Sequence, residues 1–327
     1  MESTRDKLIE ILSNIKDGYI SGQKLSDELN ISRSAIWKHM KELEKDGYEI
    51  EAKSRKGYRI IGFPEKPSEN TIKWGLNTKW LGKTVIHRET INSTQILAHE
   101  YAQNGAEHGT IVIAEEQTKG RGRINRPWNS TKGKGVWMSM ILRPEILPQQ
   151  APQLTLLTAT VLADVLRSNC NVDPLIKWPN DILINKKKCA GILTEMQAEQ
   201  DQIWYVIIGI GLNVNQDKDD IPEELQSKAT SLYIETDKTR SINDFIQKIL
   251  VQFEKSFNVY LEKGFKEIKE KWESYGFRIG EEIKIKTLKE EWKAPFLGIS
   301  EDGALLTQSK EGREKRIYSA EIDWFHS

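Results

Sequence analysis

The chain has 327 residues, enough for two or three domains of about 100–200 residues each, and its 48 lysines and arginines balance 48 aspartates and glutamates. The apolar content of 38%, without any apolar run of about 18 residues, excludes a membrane-spanning protein, and 22 glycines and 10 prolines exclude a collagen-like or low-complexity chain. A net charge of zero also argues against a nucleic-acid binder, provided that the charge is evenly distributed.

The first 63 residues predict a helix-turn-helix. Apolar residues at helical spacing indicate a first helix that ends at Gly18 and a short second helix with Leu25 and Leu29 inward. Ser32 can cap a third helix, which Gly47 ends. The third helix of such a motif enters the major groove of DNA. Its outward side chains are the candidate base contacts: Arg33, Ser34, Trp37, Lys38 and Lys41.

Two short strands follow at 48–53 and 58–61, and the turn between them is basic. Arg55 and Lys56 in this turn are the expected contacts with phosphate or with the minor groove. A helix bundle that binds protein is the alternative for this unit, but the basic turn favours DNA. One such unit binds DNA weakly, so we expect a dimer on a two-fold operator.

The rest of the chain predicts a linker and two further units. Residues 64–70 hold two prolines among polar residues and predict the linker. The segment 71–275 alternates helical and strand patterns without βαβ repeats, which predicts an α+β domain. Its predicted strands are 85–88, 110–115, 136–142, 175–178, 182–184, 189–197 and 203–213, and its predicted helices are 93–104, 153–168 and 242–274. From 276 onwards, short strands at 282–287, 292–299, 304–308 and 316–319 predict a small barrel.

The neutral total hides a strong segregation of charge. Residues 117–143 carry seven positive charges and no negative one, and residues 53–59 carry four positive charges and no acid. Residues 189–237 carry ten acids against two lysines. Fields of this kind steer charged partners, so anionic ligands and nucleic acid are not excluded after all.

The strongest local signal is Gly120-Arg121-Gly122-Arg123, which continues to Arg126-Pro127-Trp128. Glycines let the backbone approach a ligand, and arginines offer forked donors that match phosphate and carboxylate oxygens. The segment is neither a Walker A loop nor a GxGxxG dinucleotide turn. Taken alone, it suits an anion-binding loop, a solvated basic loop or an RNA-binding segment equally well.

Other segments add polar groups in short clusters. Ser93 and Thr94 stand at a predicted helix start, where hydroxyls and free N–H groups can receive a polar ligand or simply cap the helix. The pentapeptide 177–181 (KWPND) ends a strand in polar side chains. Lys188 precedes a strand with a glycine, and 207–215 is a strand with two more. An apolar ligand could lie against these glycines, Gly191, Gly209 and Gly211, unless they serve packing.

Together these motifs resemble biotin–protein ligases in order and spacing: GRGR-x2-R-x-W, KWPND, KCAGIL-x-E and GIGLNVN. The N-terminal helix-turn-helix makes the chain similar to the bifunctional bacterial form, which also represses the biotin operon. The resemblance covers essentially the whole chain. It implies a winged helix-turn-helix domain at 1–63, a class II synthetase-like antiparallel-sheet catalytic domain at 71–275 and a small SH3-like β-barrel at 276–327.

The resemblance also implies roles for single residues. Contacts with biotin are implied or expected for Ser93, Thr94, Gln95, Gln117, Arg121, Gly122, Arg123, Lys188, Gly191, Gly209 and Gly211. Contacts with the nucleotide are expected from Arg121, Arg123, Arg126, Trp128, Asn180, Lys188 and Asn213. Arg123, Arg126, Lys188 and Asp181 are the expected catalytic residues. Gln95 departs from the family, which often has asparagine at this position.

The implied reaction uses ATP with Mg²⁺ to convert biotin into biotinyl-adenylate. A lysine of a biotin-acceptor protein, the carboxyl carrier domain of a carboxylase, then attacks the mixed anhydride. The family dimerises when the adenylate is bound, so a homodimer and operator DNA are expected as further partners. Two alternatives stay open: ligation of lipoate, and a non-catalytic regulator that senses biotin.

Residue usage predicts the compartment and the absence of a protein-bound metal. Two cysteines cannot build a disulfide framework, and the five scattered histidines form no Cys/His cluster. The N-terminus is charged and lacks the apolar stretch of a signal peptide. We therefore expect a cytoplasmic protein with no membrane partner, whose metal is the Mg²⁺ that accompanies ATP.

Overall fold

The structure is a computed structural model that describes residues 4–13, 15, 18–62, 64, 66–287, 290–309 and 311–325. The chain divides into two compact units, one formed by residues 1–77 and 241–247 and the other by 78–240 and 248–327. None of the helices within these ranges is long and apolar enough to cross a lipid bilayer.

The first unit contains the predicted helix-turn-helix and hairpin. Its elements are α1 (Thr4–Ser13), α2 (Gly22–Leu29), α3 (Arg33–Lys45), β1 (Glu49–Lys53), β2 (Gly57–Gly62) and α4 (Glu69–Lys73). The Ser32 hydroxyl accepts from the Ala35 N–H at 3.2 Å and caps α3, as predicted. Leu25, Ile36 and Leu43 are completely buried in the core of this unit. Helix α4 begins inside the segment that the sequence assigns to a linker, because Ser68 caps it.

The antiparallel hairpin β1–β2 packs against the start of α2 through a close backbone approach. Ile20 and Tyr58 exchange two backbone hydrogen bonds of 3.0 and 2.8 Å. Gly57 has φ of +113°, and a side chain there would overlap the Ile20 carbonyl. Only glycine fits this position, so the close approach of the β1–β2 hairpin to Ile20 depends on Gly57.

The second unit is built on a seven-stranded sheet with the order β3-β4-β5-β9-β8-β7-β6. Its strands are β3 (Val85–Ile91), β4 (Ile111–Gln117), β5 (Gly135–Leu142), β6 (Leu175–Lys177), β7 (Asp181–Ile184), β8 (Lys187–Glu199) and β9 (Gln202–Asn213). Its helices are α5 (Thr94–Gln103), α6 (Ala151–Cys170), α7 (Leu232–Thr236), α9 (Lys266–Tyr275) and α8 (Ile242–Lys263) from residue 248 onwards. The α+β class and the predicted strands are confirmed, with ends that differ by a few residues. The pair β3–β4, joined through α5, is parallel, whereas the other strand pairs of this sheet are antiparallel.

One predicted helix is wrong as a single element. The helical period at 242–274 is interrupted, and the structure has α8 and α9 in its place. Gly264 lies between them with φ of +78°, a conformation that ends a helix. Leu261, in the last turn of α8 and at helical spacing from the buried Phe257, is 49% exposed.

The last segment forms two three-stranded sheets, β11-β10-β15 and β12-β13-β14. The strands are β10 (Glu282–Lys286), β11 (Glu291–Pro295), β12 (Gly298–Ile299), β13 (Leu305–Gln308), β14 (Glu314–Ile317) and β15 (Glu321–Asp323). The predicted strand 292–299 is wrong as one element: it divides between the two sheets at Phe296 and Leu297, because Gly298 turns the chain with φ of +118°. The sequence pattern does not predict the three-residue strand β15.

Candidate active site

A cavity of about 790 Å³ opens in the second unit. It brings together every residue that the sequence assigned to biotin, to the nucleotide or to catalysis. The same cavity is lined by residues of the C-terminal segment that sequence reasoning missed, among them Lys286, Glu321 and Trp324. Lys286 lies about seventy residues after the last of the motifs, Glu321 and Trp324 lie more than a hundred after it, and no local pattern marks them.

One end of the cavity is formed by the start of α5 and the end of β4. The Ser93 hydroxyl caps α5 and accepts from the Gln95 N–H at 3.3 Å. Thr94 donates to Gln117 Oε1 from its backbone N–H at 2.8 Å and from its hydroxyl at 3.0 Å. Gln117 Nε2 donates to Ser130 Oγ at 2.8 Å. This end is therefore a preorganised polar network whose groups hold each other in place.

Gln95 extends this network into the sheet. Its Oε1 accepts from the Ser139 hydroxyl at 3.0 Å, and Ser139 Oγ also lies 2.9 Å from Thr94 Oγ1. Its Nε2 makes long contacts of 3.4 Å to the carbonyl oxygens of Leu193 and Ile207. The Gln95 amide thus already has protein partners on both of its polar atoms.

Residues of the basic loop line the cavity, among them Arg121, Arg123 and Arg126. The ends of the loop are joined by the hydrogen bond from the Gly122 N–H to the Arg126 carbonyl at 2.8 Å. Arg121 donates to Asn125 Oδ1 at 3.0 Å, and Arg123 donates to Asn180 Oδ1 at 3.3 Å. The second contact ties the loop to the KWPND segment.

Asp181 is the buried carboxylate of the site. Its Oδ1 lies 2.7 Å from Lys188 Nζ and its Oδ2 lies 2.8 Å from Lys177 Nζ. Burial by itself raises the pKa of Asp181, but Lys188 and Lys177 outweigh burial and bring this pKa below its ordinary value. The role of Lys177 is not evident from the sequence, because its pairing with Asp181 follows from the turn between β6 and β7.

The glycines of β8 and β9 are covered by protein groups. The Trp128 ring lies against Gly191 and Gly211, and the Gln95 amide lies against Gly209. Lys188 Nζ lies 5.0 Å from the centre of the Trp128 ring. The expected contact of biotin with these glycines stays a prediction, since the space directly above them holds Trp128 and Gln95.

The residues proposed to contact DNA lie in the first unit. All seven of them, the five on α3 and the two in the turn of the hairpin, are exposed. Trp37 is 56% exposed, an unusual state for so large an apolar side chain. Lys53 beside the turn is paired with Glu51 at 2.9 Å, so Arg55 and Lys56 carry the positive charge at its tip.

Comparison with known families matches three parts of the chain. Residues 4–59 match the HTH domain family, residues 87–213 match the biotin/lipoate A/B protein ligase family, and residues 279–324 match the biotin protein ligase C terminal domain. Together these matches span the helix-turn-helix, most of the seven-stranded sheet and the C-terminal strands.

Whole-chain relatives and solved structures agree with these matches. The bifunctional ligase/repressor BirA of Bacillus subtilis is 50% identical over 99% of both chains, and the protein of the same name from Escherichia coli is 28% identical over 92% of this chain and 91% of its own. The biotin protein ligase from Aquifex aeolicus, solved in complex with biotin and ATP, superimposes with a TM-score of 0.63 at 34% identity and covers 74% of this chain and 98% of its own.

Proposed function

Since this chain belongs to the biotin–protein ligase family, in the bifunctional form with an N-terminal helix-turn-helix, we infer that it activates biotin with ATP and attaches it to a lysine of an acceptor protein. The same chain represses transcription through its helix-turn-helix domain. The observation that carries the ligase function is the convergence of the basic loop, the KWPND segment and Lys188 on one cavity. These motifs are far apart in the sequence, and a common binding site explains why they meet in one cavity.

The first step joins the biotin carboxylate to the α-phosphate of ATP and releases pyrophosphate. Negative charge accumulates on the phosphate oxygens in the transition state, and fixed cations lower its energy by electrostatics and positioning. We assign this role to Arg123, Arg126 and Lys188. No nucleophile of the enzyme is needed, because biotin itself attacks.

Mg²⁺ is expected to arrive with ATP. Among the described residues that line the cavity, the carboxylates are Asp181 and Glu321. Mg²⁺ sites for nucleotides commonly use one or two carboxylates together with phosphate oxygens and water. Because both oxygens of Asp181 are paired with lysines, this donor set fits a Mg²⁺ held mainly by the phosphates, whose charge it neutralises.

In the second step the acceptor lysine attacks the adenylate carbonyl, and AMP leaves. A lysine with an ordinary pKa of about 10.4 must lose a proton first. The lowered pKa of Asp181 makes its carboxylate a weak base. We therefore propose that Asp181 positions Lys188 and Lys177 and does not itself take the proton.

The assignment is tested by measuring pyrophosphate release with ATP and biotin, with and without a biotin-acceptor domain. Release with biotin, followed by an increase in acceptor mass equal to one biotinyl group, supports the proposal. The same release with lipoate in place of biotin supports the lipoate alternative. Binding of biotin without any pyrophosphate release supports a non-catalytic sensor and overturns the proposal.

We propose the domain boundaries 1–63, 64–70, 71–275 and 276–327 for this activity, with operator DNA bound by the first domain. We also propose that the chain forms a homodimer when the adenylate is bound, because a two-fold operator requires two helix-turn-helix units. Both proposed partners, operator DNA and the biotin-acceptor protein, support a cytoplasmic location for this chain. Sedimentation of the protein with and without biotin and ATP tests the dimer.

A further inference from the structure

Two glycines on strand β9 occupy successive rungs of one face of the sheet. Gly209 and Gly211 are two residues apart, so they share one face of the strand. Gly211 pairs with Trp137 on β5 and with Gly191 on β8. On the next rung, Gly209 pairs with Ser139 and Leu193. The Gly211 rung therefore has two positions without a side chain, and the Gly209 rung has one.

The Gly211 rung is the support on which the Trp128 ring lies. A Cβ atom on Gly211 would come 2.5 Å from Trp128 Cε2 and 2.6 Å from Nε1, and one on Gly191 would come 3.0 Å from Cζ3. The Trp128 indole N–H is buried and has no hydrogen-bond partner among the described residues. Packing on this support, with Trp137 at 6.4 Å between ring centres and Lys188 above, therefore fixes the ring.

The Gly209 rung receives a different side chain. A Cβ atom on Gly209 would come 2.5 Å from Gln95 Oε1, the atom that accepts from Ser139 on the same rung. The Gln95 side chain is buried, and a shift of its amide away from Gly209 would cost the hydrogen bond with Ser139. Gly209 thus makes room for the longer amide side chain at position 95.

Backbone conformation does not require either glycine. Neither residue has a positive φ, and both lie in the regular part of the strand. Alanine is therefore compatible with the backbone at both positions. The close approach of Trp128 or of Gln95 is the feature that alanine would disturb.

We propose that Gly211 and Gly209 are positioning residues that act on different substrates. Gly211, together with Gly191, sets the position of Trp128 and hence the nucleotide half of the cavity. Gly209 sets the position of Gln95 and hence the biotin half. This assignment of the two halves rests on the proposed function.

The test compares G211A and G209A in the full chain, with G62A as the matched control. Gly62 is a strand glycine of the first unit where the atoms nearest to an added Cβ belong to the flexible Glu49 side chain, at 2.9 Å. We expect G211A to raise the KM for ATP about tenfold, a larger change than the one it causes in the Kd of biotin, measured by calorimetry without nucleotide. We expect G209A to weaken biotin about tenfold and to leave the KM for ATP within about twofold.

Rescue separates positioning from a general loss of structure. Asparagine at position 95 is shorter by one methylene, so the Q95N/G209A double variant is expected to recover most of the biotin affinity that G209A loses. If G211A fails to fold, G191A gives the milder form of the same test, because its Cβ meets the same ring at 3.0 Å. Equal damage to both substrates by each alanine, or a double variant no better than G209A, overturns the proposal. A wild-type chain that releases no pyrophosphate with biotin and ATP overturns the proposed function instead.

Discussion

Asp181 Oδ1 lies 2.7 Å from Lys188 Nζ, and this ion pair joins the KWPND segment to the first residues of β8. The carboxylate is buried, and its second oxygen is held by Lys177. Asp181 thereby holds both lysines beside it in the wall of the cavity. The position of the Lys188 ammonium relative to a bound phosphate or carboxylate therefore depends on its ion pair with Asp181.

Substitution of Asp181 by asparagine therefore tests the positioning of Lys188. The amide keeps the size of the side chain and removes the charge that both lysines share. We expect the rate of biotin-dependent pyrophosphate release to fall about tenfold to a hundredfold, which corresponds to about 1.5–3 kcal/mol for a hydrogen bond to a charged group. The control is Asp173→Asn, which affects an exposed ion pair with Arg167 and should leave the rate unchanged. A wild-type rate for Asp181→Asn contradicts the positioning role.

Substitution of Arg123 by glycine tests closure of the basic loop over the intermediate. Arg123 is the residue of the loop that reaches Asn180, and without it this link between the loop and the KWPND segment is absent. We expect the variant to form biotinyl-adenylate but to release it at least about tenfold faster than the wild type, because an open loop admits water and lets the intermediate leave. Retention of labelled adenylate after rapid gel filtration measures this directly. Arg313→Gly, at an exposed position in the C-terminal segment, is the control, and equal retention by Arg123→Gly and wild type contradicts closure.

Glu254 binds the first residues of the second unit, and its substitution tests how much this contact stabilises that unit. The buried carboxylate accepts from the backbone N–H groups of Lys79, Trp80 and Leu81 at 2.6, 2.9 and 2.8 Å. Burial raises the pKa of Glu254, but the three N–H donors outweigh it and the net pKa is lowered. An amide in place of the carboxylate turns one acceptor into a donor that faces other donors. We expect Glu254→Gln to lower the free energy of unfolding of this unit by about 2–3 kcal/mol at pH 7, measured by urea.

The pH dependence of this loss follows from the sign of the pKa shift. A carboxyl group with a lowered folded-state pKa contributes its full stabilisation above its unfolded pKa of about 4.3. That contribution disappears as the pH falls through the folded-state value. The difference between Glu254→Gln and wild type should therefore be constant from pH 5 to 8 and shrink only below about pH 4. Glu267→Gln, in an exposed pair with Lys263, is the control and should differ from wild type by less than about 0.5 kcal/mol.

The motifs could be found from the sequence because their chemistry is local. Alternating glycine and arginine at 120–123 and the polar cluster at 179–181 already place donors and flexible backbone within a few residues. The strands that present them alternate or are continuously apolar, which is a strong pattern. The gathering of all these residues in one cavity could be expected only through the resemblance to a family.

Contacts that depend on strand register escaped the sequence. The Lys177–Asp181 pair needs the short turn between β6 and β7, and the packing of Trp128 on Gly211 needs the register of β5, β8 and β9. The glycine pattern showed that something approaches the sheet closely, but periodicity could not tell a ligand from a tryptophan. Likewise, Gly264 interrupts an apolar period that continues on both sides, so the pattern predicts one helix where there are two.

Readout and anchoring by the first unit can be separated with two variants. Trp37 is an exposed aromatic residue on α3, where an apolar contact with a base edge such as a thymine methyl group is possible. Arg55 lies in the turn of the hairpin, where a phosphate contact carries no sequence information. We expect Trp37→Ala to reduce the difference between the binding free energies for operator and non-operator DNA by about 1–3 kcal/mol. We expect Arg55→Ala to weaken both affinities about equally and to reduce the slope of log affinity against log salt by about one.

Fluorescence anisotropy at several salt concentrations measures the operator affinity, the non-operator affinity, their ratio and the salt slope. The control is Lys24→Ala on α2, whose ammonium already faces Glu28. An unchanged affinity ratio for Trp37→Ala would show that the exposed ring has no part in recognition and that the polar residues of α3 read the operator alone.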